Sequence, residues 1–198
     1  MSELESGAAR HALAEPLSVE ALVERVRAGW APKYVLFWGH EAKGRELGTE
    51  CLSQWYPAAF EVEGVRFPTA EHFMMHRKAL LFGDDEAARE VLRGDHAGHA
   101  KRVGRRVRDF DEETWKGARF EIVVAGSVAK FSQNVGLGRF LMGTAPRVLV
   151  EASPRDRIWG IGMGAKNADA RRPERWRGLN LLGFALMKAR ARLLGEGR

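Results

Sequence analysis

Apolar residues recur at helical spacing over most of the chain. Between Asp111 and Phe131 they fall on two stripes, which predicts a long helix that is buried on more than one side. Between Leu179 and Leu194 they form one continuous face, and the basic residues at the end of this segment suit a helix dipole. Shorter helical patterns cover residues 17–27, 85–93, 96–103 and 134–141.

One further helix begins with a capping signal and carries polar side chains on one face. Thr69 is placed as its N-cap, and the helix is expected to end at Phe82–Gly83. Glu71, Met75 and Lys78 follow each other at offsets of four and three, so they lie on the same side. A carboxylate and an amine can therefore meet there, although a first-turn acid that favours the helix dipole gives the same pattern.

Strand patterns are few and short. Aromatic and β-branched residues at 34–38 predict one buried strand, and residues 147–152 predict another. Two short alternating runs flank Glu63–Gly64, a pair that favours a tight hairpin turn. The segment from Pro154 to Gly178 is irregular and rich in glycine and arginine, so it is predicted to be largely loop.

The length of 198 residues and the mass of 22.1 kDa favour one domain. We expect residues 1–29 to form a peripheral arm with one short amphipathic helix, and residues 30–198 to form the domain. With 45% apolar and 29% charged residues the composition is that of a soluble globular protein. A disordered chain, a collagen and a mucin are excluded.

The 32 basic residues exceed the 26 acidic ones and give a net charge of +6, which favours a phosphate-bearing partner. The densest basic run, at residues 101–108, could follow nucleic acid, and residues 171–177 could join it with Trp176 as a stacking platform. A solvated basic face gives the same pattern. We expect most of the excess charge to be ordinary surface.

Targeting and redox signals are weak. Cys51 is the single cysteine, so no intrachain disulfide can form, and we expect a buried or inert thiol. The N-terminus lacks the apolar core of a signal peptide, and no run approaches the roughly 18 apolar residues of a membrane span. The sequence therefore predicts a cytoplasmic protein.

Two histidines raise the question of a metal site. His72 and His76 are four residues apart, but Glu71 precedes them instead of lying between them, and we expect no metal site.

Residues of types that often take part in catalysis or ligand binding follow the predicted strand at 147–152. Glu151 is followed by Asp156, Arg157, Trp159 and Gly160. Arginine pairs with phosphate, tryptophan stacks on planar bases, and a carboxylate stabilises positive charge on a ribose ring. The pattern is typical of a nucleotide or sugar-phosphate site, although a surface turn can have the same composition.

Ten short motifs occur in a fixed order along the chain. They lie at residues 52–57, 60–64, 69–72, 78–79, 104–105, 115–116, 130–131, 149–152, 156–162 and 178–183. In this order they resemble the NADAR family, also called YbiA-like, from about Tyr34 to Leu194. Each motif alone is short, and the specificity comes from their succession.

This resemblance implies a fold and a reaction. The fold is a compact single α+β domain, predominantly helical, with a few short strands. The reaction is hydrolysis of N-glycosidic bonds in phosphorylated N-ribosides, without metal or other cofactor. Members similar to this chain act on ribosylaminopyrimidine 5′-phosphates, early riboflavin intermediates, and release ribose 5-phosphate and the pyrimidine. Other branches remove ADP-ribose from guanine in DNA or RNA, and a non-catalytic module for ADP-ribose, NAD or nucleic acid is the alternative outside the enzymes.

The same resemblance implies roles for individual residues. Cleavage builds positive charge at the ribose C1′, so the site needs a carboxylate near the ring, a proton source and cations for the phosphate. Glu71, Lys78 and Asp156 are the catalytic candidates, with Lys78 able to capture the sugar aldehyde as a Schiff base. The substrate-binding candidates are Gln54, Tyr56, His72, Trp115, Glu151, Arg157, Trp159, Gly160 and Asn180.

Three features depart from the family pattern. Gln54 stands where many members have Asn, the N-terminal arm has no counterpart in the minimal domain, and the loop at 165–177 is longer and more basic. These differences can change the size of substrate that the site accepts. Core packing of Trp115 and helix capping by Asn180 are the structural alternatives for those two positions.

Overall fold

Helices and short strands follow one another largely as the sequence pattern predicts. A computed structural model of the chain describes residues 15–41, 44 and 46–196. Over these residues the helices are α1 (Val19–Arg27), α2 (Ala70–Leu81), α3 (Asp85–Val91), α4 (Ala97–Gly104), α5 (Glu112–Gln133), α6 (Val135–Met142) and α7 (Leu181–Glu196). The strands are β1 (Tyr34–Phe37), β2 (Phe60–Val62), β3 (Val65–Phe67) and β4 (Val148–Glu151). Short 3-10 turns lie at Thr49–Leu52, Ala168–Arg171 and Pro173–Arg175. The predominantly helical α+β class is confirmed.

Local signals in the sequence start the elements that carry the site. The Thr69 Oγ1 atom accepts a hydrogen bond from the backbone N–H of His72 at 3.4 Å, so α2 begins where the capping signal predicts. Between β2 and β3, Glu63 and Gly64 have φ angles of 53° and 76°, the left-handed conformation that the tightest hairpin turns require. The predicted hairpin is therefore present.

The two strands predicted at residues 34–38 and 147–152 pair with each other. β1 lies parallel to β4, with Phe37 opposite Glu151, and the backbone N–H of Ala152 donates to the Phe37 carbonyl oxygen at 2.9 Å. Parallel strands end at the same edge of a sheet, so the segments that follow β1 and β4 start side by side. Helix α7 packs on β4 and on α5, and this packing buries Val148, Leu149 and Val150 completely.

The last helix begins at Leu181, after the position that its apolar pattern predicts. Asn180 has a left-handed φ of 52°, and its side chain binds β4 instead of the helix. Its Nδ2 donates to the Leu149 carbonyl oxygen and its Oδ1 accepts from the Glu151 N–H, both at 2.9 Å. Asn180 therefore pairs with the strand backbone and fixes the end of β4.

Helix α2 packs against α3, α4 and α5. The closest approach to α4 occurs at Gly104, where an added Cβ would overlap the sulfur atom of Met75. Glycine at this position lets α4 lie directly on the face of α2 that carries Glu71, Met75 and Lys78.

The N-terminal arm is less peripheral than expected. The Ser18 Oγ atom caps α1 by accepting the Ala21 N–H at 3.1 Å, and Leu22 of this helix is fully buried in the main core. Helix α1 is therefore part of the folded domain, while residues 1–14 lie outside the described residues. In the described part of the chain, no helix has the length and apolar character that crossing a membrane requires.

Candidate active site

A cavity of about 190 Å³, here called the inner cavity, lies between α2, the end of α4 and the loop after β4. Its acidic and basic lining residues come from separate parts of the chain: Glu71, Lys78, Lys101, Arg105, Glu151 and Asp156. The remaining lining residues are Ser53, Gln54, Trp55, Met74, Met75, Gly104, Trp159 and Leu182. The fold thus brings the catalytic candidates Glu71, Lys78 and Asp156 to one place.

Glu71 lies in the first turn of α2, and its side chain is only 4% exposed. Its backbone N–H donates to the Gln54 carbonyl oxygen at 2.9 Å, which ties α2 to the preceding turn. Burial raises the pKa of the Glu71 carboxyl to about 7 and Asp156 adds to the rise, whereas Lys101, a hydrogen bond with the Trp55 side chain and Arg105 oppose it. A carboxyl with this pKa can exchange a proton near neutral pH.

Glu151 ends β4 and lines the same cavity. Its Oε2 atom is buried and has no hydrogen-bond partner among the described residues. Burial raises the pKa of Glu151 to about 8, with further increases from Asp156 and Glu71 and an opposing effect of Lys101. At neutral pH this carboxyl is mostly protonated, so it can donate a proton.

Asp156 shapes the loop as well as lining the cavity. Its Oδ1 accepts hydrogen bonds from the backbone N–H groups of Ile158 and Trp159, both at 2.8 Å. These bonds hold the turn that places Trp159 in the cavity wall. Oδ2 has no hydrogen bond to any described residue, so it remains available to a ligand.

Lys78 is held over an aromatic surface at the cavity wall. Its Nζ donates to the Gly104 carbonyl oxygen at 2.8 Å and lies 4.0 Å from the centroid of the Phe110 ring. Burial lowers the pKa of Lys78, and Glu112 opposes this change. A lowered pKa increases the fraction of neutral amine, which is the nucleophilic form.

Lys101 and Arg105 also line the inner cavity. The expectation that the basic run at 101–108 is ordinary surface is therefore wrong for these two residues. One turn of helix separates them, so α4 and its C-cap present both to the cavity, whereas Arg102 and Arg106 do not line it. This spacing of four within the run is the signal that sequence reasoning missed.

Gln54 lines the cavity with an unpaired polar group. The residue is 7% exposed, and its Nε2 is buried without a hydrogen-bond partner among the described residues. Buried donors are nearly always paired in folded proteins, so this amide has the character of a ligand contact. A carbonyl or hydroxyl oxygen of a substrate would satisfy it.

The His72 side chain points into the fold and does not line the inner cavity. Its Nε2 lies 2.7 Å from the Gly94 carbonyl oxygen and its Nδ1 lies 2.8 Å from Thr69 Oγ1. Because a carbonyl only accepts hydrogen bonds, Nε2 carries the proton. Both ring nitrogens are thus used between α2 and the α3–α4 connection, and no atom of His72 lines the inner cavity.

Two aromatic candidates lie behind the cavity wall. Trp115 is buried in the main core, with the Lys78 Nζ 5.6 Å from the centroid of its ring. Tyr56 packs against the same core, and its ring centroid lies 5.6 Å from the Nζ of Lys130. Trp115 thus packs beside Lys78, and Tyr56 packs beside Lys130. Neither aromatic side chain lines the inner cavity.

The remaining candidates organise the loop after β4. Arg157 is exposed and does not line the inner cavity. At Gly160 an added Cβ would lie 2.8 Å from the Glu151 carbonyl oxygen, so glycine lets the loop pass against β4. The side-chain amide of Asn180 is occupied by the backbone of β4. These three positions shape the site from outside it.

The described part of the chain offers no metal centre at this site. Within residues 15–41, 44 and 46–196 no group of three or more His, Cys, Asp and Glu side chains is arranged to hold a metal ion. Cys51 is fully buried and unbridged, and burial raises the pKa of its thiol to about 12. The expectation of a buried or inert thiol is confirmed in its first alternative, burial.

Comparison with known proteins identifies a family and relatives that are named N-glycosidases. The family model of the NADAR domain matches residues 36–194. An N-glycosidase of Acanthamoeba polyphaga mimivirus is 41% identical over 163 residues, which are 80% of this chain and 95% of that protein. The N-glycosidase YbiA of Escherichia coli K12 is 31% identical over 136 residues, 69% of this chain and 76% of that protein.

A solved structure and a pathway protein extend this comparison. The NMR structure of the E. coli protein YbiA matches with a TM-score of 0.67 and 26% identity, covering 85% of this chain and 89% of that one. A riboflavin biosynthesis protein of Vibrio vulnificus is 32% identical over 111 residues, 56% of this chain and 29% of that protein. The likeness therefore covers both the sequence from residue 36 to residue 194 and the fold.

Proposed function

The chain belongs to the NADAR family, and we propose that it is an N-glycosidase that hydrolyses phosphorylated N-ribosides. The substrate is a ribosylaminopyrimidine 5′-phosphate of the riboflavin pathway, and the products are ribose 5-phosphate and the free aminopyrimidine. The N-glycosidases of the mimivirus and of E. coli support the reaction, and the V. vulnificus protein supports the pathway. A cytoplasmic location stays a prediction of the sequence.

The observation that carries this proposal is the meeting of acids and bases in the inner cavity. Carboxyls from α2, β4 and the following loop converge there with amines and a guanidinium from α2 and the end of α4. An N-riboside phosphate needs both kinds of group, because its cleavage develops positive charge at C1′ while its phosphate is anionic throughout. A neutral sugar would not need this combination.

Glu151 is the proton donor in this proposal. Its carboxyl has a pKa of about 8 because it is buried near other acids, so it is protonated at neutral pH. It gives this proton to the glycosidic nitrogen as the C1′–N bond breaks, and the aminopyrimidine leaves as a neutral amine. The resulting Glu151 carboxylate lies beside the positive charge that develops on the ribose ring.

Glu71 and Asp156 complete the hydrolysis. The Glu71 carboxyl, with a pKa of about 7, is partly ionised at neutral pH and removes a proton from the attacking water. The water oxygen forms the new bond to C1′, and the proton held by Glu71 returns to solvent. Asp156, with Oδ1 held by backbone N–H groups, places a second carboxylate near the ring.

Lys101 and Arg105 are the phosphate-binding residues in this proposal. Both line the cavity, and Arg105 is exposed at its mouth, where a charged 5′-phosphate keeps part of its hydration. Arginine can bind phosphate oxygens in a bidentate way, and lysine adds a point charge. Gln54 contributes its unpaired Nε2 to a sugar hydroxyl or to a carbonyl of the base.

Lys78 offers a covalent route to the same products. Ribosylamines open to an imine between C1′ and the pyrimidine amine, and the neutral Lys78 amine can add to that carbon. The C1′–N bond to the pyrimidine then breaks as Glu151 supplies a proton, leaving C1′ doubly bonded to Nζ. Water hydrolyses this imine, which frees ribose 5-phosphate and restores the amine.

The test offers the purified protein two substrates side by side: a ribosylaminopyrimidine 5′-phosphate and an oligonucleotide carrying ADP-ribosyl-guanine. Released ribose 5-phosphate or ADP-ribose is measured, with and without a chelator. We expect release of ribose 5-phosphate that Glu71→Gln and Glu151→Gln slow by about 10²–10⁴-fold. Glu113→Gln, at an exposed position of α5, is the matched control and should retain full activity.

The outcomes separate the alternatives. Turnover of the oligonucleotide alone would transfer the function to ADP-ribosyl-guanine hydrolysis on the same cavity. Turnover of neither substrate, by a folded protein, would contradict the N-glycosidase proposal. A loss of activity with the chelator would contradict a mechanism that uses only side chains of this chain.

A further inference from the structure

A second cavity, here called the outer cavity, adjoins the inner one and has a volume of about 500 Å³. The residues that line both are Ser53, Trp55, Lys101, Glu151 and Asp156. Because the carboxylate residues Glu151 and Asp156 belong to both linings, one bound molecule can occupy the two cavities with its central bond beside these acids. The inner cavity therefore accounts for only part of the space around the site.

The fold forms the outer cavity at the common edge of β1 and β4. Phe37 lies opposite Glu151, so the chain that leaves β1 starts beside the acid that ends β4. Gly39 then turns the backbone with a left-handed φ of 84°. Trp38 and His40, on either side of this turn, both line the outer cavity.

Trp38 is an unusually exposed tryptophan in the wall of the outer cavity. Its side chain is 59% exposed, although most large apolar side chains of the described residues are buried. A tryptophan left open at the wall of a cavity offers a broad flat surface to a ligand, and its ring stacks on any planar base. The other rings of this cavity are already engaged with each other.

Trp55 and His40 supply a fixed aromatic wall. Their ring centroids are 5.5 Å apart with an interplanar angle of 49°. The Trp55 ring is also packed edge-on against His96 at 6.1 Å and lies 5.6 Å from the Nζ of Lys101. These contacts on several sides leave Trp55 little freedom, so the wall that it forms is rigid.

Three of the side chains that line the outer cavity are carboxyl groups, and Lys101 contributes an amine. Glu41, Glu151 and Asp156 all contribute carboxyl groups to its lining. The carboxylates of Glu41 and Asp156 accept hydrogen bonds, so they favour a ligand that carries N–H donors. A flat ring with exocyclic amino groups satisfies both this requirement and the aromatic walls.

We propose that the outer cavity binds the leaving heterocycle of the substrate, a planar ring with exocyclic amino groups, which stacks on Trp38. The ribose 5-phosphate part then lies in the inner cavity, and the glycosidic bond lies at the boundary beside Glu151 and Asp156. This division of the substrate rests on the proposed N-glycosidase function. The assignment of Trp38 as the stacking surface rests on the geometry of the outer cavity.

The experiment measures equilibrium binding by calorimetry with two separate probes, a free triaminopyrimidinone and ribose 5-phosphate. For Trp38→Ala we expect binding of the pyrimidine to weaken by about tenfold, the effect of losing one stacking partner. Ribose 5-phosphate should bind as tightly as to the wild type. Trp38→Phe, which keeps a flat ring, should restore most of the lost affinity for the pyrimidine.

A matched control comes from Val135→Ala, because Val135 is 63% exposed at the start of α6 and lines neither cavity. It should leave both affinities unchanged. Equal pyrimidine affinity in Trp38→Ala and the wild type would overturn the proposal, as would an equal loss for both probes. His40→Ala serves as the second variant, with the same selective loss expected.

Failure of the proposed function has a different signature. A wild type that turns over no ribosylaminopyrimidine phosphate, but binds the pyrimidine in a Trp38-dependent way, would keep the outer cavity and reject the reaction. A wild type that turns the substrate over, with an unchanged KM in Trp38→Ala, would keep the reaction and reject the cavity assignment.

Discussion

The Nζ atom of Lys130 lies 2.8 Å from the carbonyl oxygen of Ser53, which is 77 positions earlier in the chain. The same atom donates to the Cys51 carbonyl oxygen at 2.7 Å, and the side chain is 0% exposed. The turn that holds these carbonyls continues to Gln54, whose own carbonyl accepts the backbone N–H of Glu71. Lys130 therefore fixes one wall of the inner cavity from behind without lining it.

Replacing Lys130 by methionine should destabilise the protein. The carbonyl groups of Cys51 and Ser53 would lose their shared donor, and an unpaired buried group costs about 1–3 kcal/mol. We expect a lower midpoint of urea unfolding and, since Glu71 is positioned through the same turn, a lower kcat. Lys116→Met is the matched control, because Lys116 is exposed on the same helix and should shift the free energy of unfolding by less than about 0.5 kcal/mol. Equal unfolding midpoints for the two variants would contradict this role.

The buried amine should also make stability depend on pH. Burial lowers the pKa of Lys130 to about 7, whereas a lysine in an unfolded chain has a pKa of about 10.4. Between these values the unfolded state binds more protons than the folded state, so the free energy of unfolding rises with pH. Other groups titrate as well, and the difference between wild type and Lys130→Met isolates this one. We expect that difference to grow in favour of the wild type from pH 7 to pH 10, and a constant difference would contradict the buried amine.

Local features of the chain were sufficient to predict most of the fold. Thr69 caps α2, and Glu63–Gly64 forms the turn between β2 and β3, because capping and turn geometry depend on residues within three or four positions. The two apolar stripes of α5 likewise predict its length. Periodicity reports which side of a helix is apolar, so it does not reveal that Lys130 on that helix is completely buried.

The site was less predictable because its parts meet only in the folded chain. Glu71, Lys78 and Asp156 could be proposed from motifs, but Lys101 and Arg105 looked like members of a solvated basic run. The spacing of four places them on one face of α4, but their place in the inner cavity also depends on the close packing of α4 on α2 at Gly104, a contact between separate segments of the chain. The sequence predicts Trp38 only as the end of a strand, because the residues that form the outer cavity around it come from separate segments of the chain.

Two glycines of the loop after β4 provide a sharp test of its packing. At Gly178 an added Cβ would overlap the Gly160 carbonyl oxygen and lie 2.7 Å from the Arg157 Cα, and both are backbone atoms that cannot rotate away. At Gly164 an added Cβ meets nothing within 4 Å. We expect Gly178→Ala to cost about 1–3 kcal/mol, the usual effect of overpacking, and Gly164→Ala to be nearly neutral. Thermal unfolding of both variants checks this, and similar melting temperatures would contradict the close approach.

The raised pKa values of Glu71 and Glu151 predict a narrow pH profile. Hydrolysis needs Glu71 ionised and Glu151 protonated, so kcat/KM should fall below about pH 7 and above about pH 8. Glu151→Gln cannot donate the proton, and we expect its kcat/KM to drop by about 10²–10⁴-fold and to lose the decline at high pH. Activity measured from pH 5 to pH 10 checks both limbs. A Glu151→Gln variant that keeps the high-pH decline would assign that limb to another group.

The covalent route makes a prediction that direct hydrolysis does not. Borohydride reduces an imine between C1′ and a lysine to a stable secondary amine, so a trapped adduct adds the mass of the sugar phosphate less one oxygen atom, since the imine forms with loss of water and its reduction adds two hydrogens. Lys78 and Lys101 are the lysines that line the inner cavity among the described residues. We expect the adduct in the wild type and in Lys101→Met but not in Lys78→Met, because burial lowers the pKa of Lys78 and so increases its fraction of neutral amine. A peptide map that places the adduct on Lys101 would move the nucleophile to α4, and full turnover by Lys78→Met without any adduct would leave water, activated by Glu71, as the group that attacks C1′.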